Sequence, residues 1–167
     1  MNMTAAHLNA FIEGTSETLD SMCGLKLRRV GGIRKVNGEI VDTDELMAII
    51  GLSGCVKGCA LISSPLDVGL RIIGKFMMSE LTEVNSDLMD GFGELVNIIA
   101  GAADAKFEDI RIDLSLPTIL IGGNTKFFAK AGSSLVMVPF VLEGDGGRFC
   151  LGVSMDILRK KGAPAKK

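Results

Sequence analysis

With 167 residues, 47% of them hydrophobic and 23% charged, the chain has the composition of one ordinary globular domain with enough length for a sizeable core. A net charge of −2 and the absence of Trp and Tyr argue against a nucleic-acid reader, which needs a basic stripe and stacking aromatics. No basic segment followed by an apolar one opens the chain, and no apolar run approaches the roughly 18 residues of a membrane span, so the expected location is the cytoplasm, with no membrane partner.

Leu8, Phe11, Ile12, Leu19 and Met22 predict a helix from Thr4 to about Cys23, with Thr4 as N-cap and Gly24 as its stop. His7, the sole histidine, has no Ser or Cys nucleophile placed near it by a motif and reads as solvated. Leu25 to Lys35 alternates apolar and basic residues, a strand broken at Gly31-Gly32, and Val36 to Asp44 reads as a polar connection. Leu46 to Leu52 and Cys59 to Ser63 predict a hairpin of buried strands around Gly54 and Gly58. Pro65 then starts a helix with Leu66, Leu70, Ile73 and Met77 on one face, its Met77-Met78 end expected as core filler. Cys23, Cys55, Cys59 and Cys150 form neither a C-x-x-C pair nor a zinc spacing, so they are expected as buried small hydrophobes, with no metal site.

The stretch Asp90 to Gly101 predicts the middle of a further helix. Leu88, Phe92, Leu95, Ile99 and Ala102, widened by Val96 and Ala103, form its core face. At about 100° per residue, Asp90, Glu94, Asn97 and Gly101 share the opposite side. Such a stripe is ordinarily just solvated. Yet Gly91, Gly93 and Gly101 interrupt this helix, each costing roughly 0.5–1 kcal/mol against Ala. Small residues on or beside the stripe leave Glu94 and Asn97 raised above low ground that another protein could approach. The residues alone leave both readings open.

Ile110 to Leu114, Lys126 to Lys130, Ser133 to Leu142 and Arg148 to Met155 predict the remaining strands, with turns at Gly122-Gly123-Asn124 and Gly144 to Gly147. The second turn is glycine-rich but opens no helix, so it reads as a hairpin turn and not as a phosphate cradle. If Ser133 to Leu142 lay at an open sheet edge it would be an aggregation hazard, since only Pro139 interrupts it. A faint repeat relates Gly58-Cys-Ala-Leu-Ile-Ser63 to Phe149-Cys-Leu-Gly-Val-Ser154, each half running from helix to strands. The expected architecture is α+β, an antiparallel sheet with helices packed on it and an internal pseudo-two-fold repeat, over residues 1–158. The basic tail 159–167, with Gly162 and Pro164, is expected to be disordered.

Asp90-x-x-x-Glu94-x-x-Asn97, followed by Gly101 and later Pro117, resembles the signature of the CheC/CheX/FliY family of chemotaxis phosphatases. The likeness extends to Gly51-Leu-Ser-Gly54 through Gly58-Cys-Ala-Leu61 and to Ser115-Leu-Pro117, covers most of the chain, and is strongest toward the CheX branch. The segment from Asn97 to Pro117 is slightly shorter than the family pattern. The resemblance implies a phosphatase acting on a phosphorylated, CheY-like response regulator. Asn97 would hold the attacking water and Glu94 would pair with the regulator's Lys, while Asp90, Gly93, Gly101 and Pro117 meet the partner. No cofactor is implied on this chain, Mg²⁺ being expected on the regulator. Relatives with two sites repeat the motif on the first helix. Here Glu13-x-x-Ser16 and Glu17-x-x-Asp20 lack the Asn, which implies one site. The CheX likeness also implies a homodimer made by strand pairing. The competing reading is a non-catalytic module that docks a response regulator or flagellar-switch component through the same helix.

Overall fold

A computed structural model of the chain describes residues 2–123, 125–130, 132, 134–144 and 146–158. The expected tail, 159–167, lies outside the described residues.

The first helix, α1 (Ala5–Cys23), begins at Thr4, whose side chain accepts from the His7 amide, and ends at Gly24 in the left-handed region with φ 63°. His7 departs from the sequence expectation. It is only 7% exposed. Its Nδ1 accepts from the Thr4 amide at 3.2 Å, completing a reciprocal cap, and its Nε2 lies 3.4 Å from Asp109 Oδ1. An imidazole whose Nδ1 accepts carries its proton on Nε2, so the ring donates to the Asp109 carboxylate.

Strands β1 (Leu27–Arg29) and β2 (Arg34–Val36) are the two halves of the predicted broken strand. The segment expected as a plain connection contains β3 (Glu39–Asp42), which is a strand because it pairs with Lys126 to Ala129 far along the chain. A hairpin follows, β4 (Leu46–Gly54) and β5 (Val56–Ser64), turning tightly at Gly54 with φ 84°. Next come α2 (Leu66–Met77) and α3 (Ser86–Ala105), then β6 (Ile112–Leu114), β7 (Thr118–Ile121), β8 (Lys126–Ala129), β9 (Leu135–Leu142) and β10 (Arg148–Ile157).

Eight of these strands form one sheet in the order β1-β9-β10-β5-β4-β6, with β2 also on β9 and β7 also on β4, and all of these pairings are antiparallel. The three helices cover one face of it. The alternating residues Ala48, Ile50, Ala60, Ile62, Leu151 and Val153 meet the helical side chains Phe11, Ile73, Phe92 and Ile99 in the main core. On the other face the β3–β8 ribbon covers a smaller cluster around Met47, Leu61, Leu135 and Met137. The architecture is thus the expected α+β one.

One open condition is answered and one further expectation is corrected. β9 is not at an edge, because β10 lies on one side and β1 and β2 lie on the other. The chain itself covers the segment whose exposure would have called for a partner strand. Met77 and Met78 are not core filler. They are 41% and 97% exposed, because α2 ends at Met77 and turns away from the core at Met78.

Candidate functional site

Asn85 caps α3 by accepting from the Leu88 amide at 3.0 Å. From there the helix buries Leu88, Phe92, Leu95, Val96, Ile99 and Ala103. That leaves the predicted polar stripe outward, with Asp90, Glu94 and Gly101 exposed and Asn97 half-buried. Glu94 and Asn97 stand one turn apart on this rigid, core-anchored helix. Among the described residues neither of them, nor Asp90, hydrogen-bonds or ion-pairs with another part of the chain.

The glycines have different tasks. A Cβ on Gly101 would meet nothing within 4 Å, so the helix surface beside Asn97 is open there. Gly93 is buried instead. A Cβ there would lie 3.2 Å from Pro117 Cγ and 3.3 Å from Ile119 Cδ1, so the small residue seats Pro117 rather than leaving open ground. Gly91 serves the other flank, where a Cβ would come within 2.5 Å of Ile73 Cγ2 on α2 and 3.6 Å of Met77 Sδ. Of the expected partner-facing residues, Asp90 and Gly101 face outward with the acid and the amide, while Gly93 and Pro117 are joined to each other at the side of the stripe.

Pro117 belongs to a firmly held loop. Ser115 Oγ accepts from the Gly51 amide at 2.8 Å, the Ser115 amide donates to Gly51 O at 3.0 Å, and Asp104 near the end of α3 accepts from the Ile112 amide at 2.8 Å. The loop is therefore tied both to β4 and to the helix that bears the site.

Helix α1 provides an internal comparison. Counted from the two N-caps, Phe11 stands where Phe92 does, Glu13 where Glu94 does, and Ser16 where Asn97 does. Gly14 lets the helices approach, its position meeting Ala102 Cβ and Ile99 O at 3.3 Å. On α1, however, Lys106 Nζ lies 2.9 Å from Glu17 and 3.6 Å from Glu13. These carboxylates hold the Lys106 ammonium above its usual range, Glu17 chiefly through a hydrogen bond. Both acids are occupied within the chain, and Ser16 lacks the reach of an amide. The two helices share a register but only α3 presents a free acid and amide.

Among the described residues, no three His, Cys, Asp or Glu side chains cluster as a metal ion would need. All four cysteines are free, two of them buried and two half-buried. Burial pushes the Cys23 and Cys150 thiols up to about 11 and raises that of Cys59, so they are neutral at physiological pH and poorly suited to nucleophilic work. Among the described residues, no helix is long and apolar enough to cross a membrane.

A helix-covered antiparallel sheet that displays this stripe has the fold of CheC-like proteins. A CheC-like superfamily protein from Shewanella sp. PV-4 superposes with a TM-score of 0.79 at 20% identity, over 92% of this chain and 99% of that one. CheX from Vibrio vulnificus gives 0.76 at 22% identity over 91% and 100%, respectively. A chain of the CheX–CheY–BeF3–Mg²⁺ complex from Borrelia burgdorferi gives 0.67 at 22% over 89% and 97%. No curated protein matches significantly in sequence. The family model for the chemotaxis phosphatase CheX matches residues 46–141, more than half of the chain, which therefore belongs to the CheX family.

Proposed function

We propose that this chain is a protein-aspartyl-phosphate phosphatase that hydrolyses the acyl phosphate of a CheY-like response regulator. Family membership supports the reading, as does the existence of a related structure in which CheX is bound to CheY with BeF3 and Mg²⁺. The observation that carries it is the pair Glu94 and Asn97, free of internal partners and raised on a rigid helix.

These two side chains are not a hydrolase by themselves. A lone surface carboxylate is neither a nucleophile nor a poised acid, so the remaining groups come from the substrate protein. The regulator brings the phosphoryl-aspartate, its Mg²⁺ and a Lys. Glu94 pairs with that ammonium and fixes the docking register. Asn97 enters the regulator's site, its Oδ1 accepting from a water and its Nδ2 donating to a phosphoryl oxygen. The water oxygen bonds to phosphorus as the bond from phosphorus to the aspartyl oxygen breaks, leaving inorganic phosphate and a free carboxylate. Phosphoryl transfer depends mainly on placement and electrostatics, and an amide that orients the water supplies the placement. Gly101 gives clearance for the approach, and Asp90 meets the rim of the partner.

The test is to phosphorylate the response regulators found with this chain and to time loss of the acyl phosphate in Mg²⁺ with and without it. Acceleration of at least one regulator is expected. If several are bound and none is accelerated, the non-catalytic docking module is the correct reading. The homodimer that the family likeness implies is part of the same reading, with strand pairing at an open sheet edge as its assignment. Sedimentation showing a monomer at micromolar concentration would overturn that assignment.

A further inference from the structure

The two most exposed large hydrophobic side chains of the described residues are Met78 at 97% and Leu116 at 89%. They lie far apart in sequence and flank the same helix. Met77, the residue before Met78, comes close to Gly91 on one side of α3, and Pro117, the residue after Leu116, packs on Gly93 on the other. On a helix, positions 91 and 93 lie about 160° apart, with Asp90, Glu94 and Asn97 in the sector between them. Both apolar groups are held in place. Leu116 sits between Ser115, bonded both ways to Gly51, and Pro117. Met78 sits in the turn closed by the Ser79 amide donating to Gly74 O at 2.9 Å.

Met78 is also the only non-glycine residue with positive φ among those described, at 54°. Glycine is the usual residue at such a helix stop, since a side chain in the left-handed region is strained. The chain thus keeps a strained and almost fully exposed methionine where glycine would be both easier to fold and more soluble. The stripe between the two anchors carries the exposed acids Asp90 and Glu94, and the loop and first turn leading into α3 add exposed Glu80, Glu83 and Asp87, with no basic residue between Lys75 and Lys106.

We infer that Leu116 and Met78 are apolar anchors that seat the receiver domain of the regulator astride α3, one on each side of the Glu94/Asn97 stripe. The inference rests on the reading of that stripe as the phosphatase site. Pre-fixed apolar side chains flanking a polar centre bind with little loss of freedom and exclude water from it. The acidic surface selects the occupant by charge: it suits a face that presents Mg²⁺ and an ammonium, and it disfavours a second copy of itself.

The test compares wild type with Leu116→Ser and Met78→Gly, using Phe128→Ser on the β3–β8 ribbon as a control. Binding to the BeF3-loaded, Mg²⁺-bound regulator is measured by titration, and turnover by acyl-phosphate loss. Each anchor variant is expected to raise both the dissociation constant and KM about tenfold, with kcat nearly unchanged, and Met78→Gly should melt no lower than wild type. The control should leave all values unchanged. Unaltered affinity in both anchor variants overturns the inference. So does wild-type self-association that either variant abolishes, since the surface would then belong to a second copy. If wild type binds without hydrolysing, the phosphatase reading fails while the binding titration still decides the anchors.

Discussion

Gly101 and Gly93 lie on one helix two turns apart, and replacing them should have opposite effects. Gly101 is open, so Gly101→Ala is expected to stabilise by about 0.4–1 kcal/mol, visible as a rise of about 1–4 °C in melting temperature. Gly101→Gln should keep the fold and lose phosphatase rate, because the longer side chain obstructs the approach to Asn97. A fully active Gly101→Gln would mean that no partner passes over it. Gly93→Ala forces Pro117 and Ile119 outward and is expected to destabilise by about 1 kcal/mol net, as overpacking exceeds the gain in helix propensity. Chemical denaturation of the three variants checks these signs. Both glycines interrupt the predicted helix, but periodicity cannot show which one has a loop packed on it from a distant part of the chain. His7 teaches the same lesson. Its cap by Thr4 was legible, whereas burial depended on Asp109 and Phe107, about a hundred residues away. His7→Ala should cost about 1–2 kcal/mol through loss of the cap and of the bond to Asp109.

Among the elements, those with long apolar periods were legible. α1, α3 and the β4–β5 hairpin lie where they were expected, because each buries a full face against the main core, although β5 starts at Val56, before the expected Cys59. The short strands were not. β7 was not expected at all, since its four residues lie on a sheet edge and half of them are exposed, leaving little alternation to read. β3 owes its form to β8. α2 was predicted as a helix ending at Met77-Met78, as observed, but the burial of that end was misjudged because nothing local shows that the chain leaves the core at Met78. The α2–α3 contact is close at Gly91, and Gly91→Ala is expected to destabilise by about 1–3 kcal/mol by pressing on Ile73. The sheet also carries a pH signature. Burial raises the Cys150 thiol from 9.0 to about 11, so the folded chain retains a proton that the unfolded chain releases. This contribution is fully present below pH 9 and is lost as the pH rises toward 11. Melting temperature should therefore fall more steeply over that window in wild type than in Cys150→Ser; parallel curves would contradict the assignment.

For the whole molecule, the pseudo-two-fold repeat seen faintly in the sequence becomes two capped helices in matching register, of which one has been closed off. Lys106 holds Glu13 and Glu17 on α1, while Glu94 and Asn97 on α3 have no side-chain partner among the described residues. On the proposed reading, a chain of this design is half of an active site: it would supply placement, and the substrate protein would supply the metal, the ammonium and the scissile bond. The most direct test separates placement from docking by measuring, for wild type and Asn97→Ala, both affinity for the BeF3-loaded regulator and single-turnover loss of acyl phosphate at saturating enzyme. The account predicts that Asn97→Ala binds within a few-fold of wild type while its rate falls by about 10²-fold or more, since water placement is realised only in the transition state. An Asn97→Ala protein that hydrolyses as fast as wild type, at the same occupancy, would contradict it.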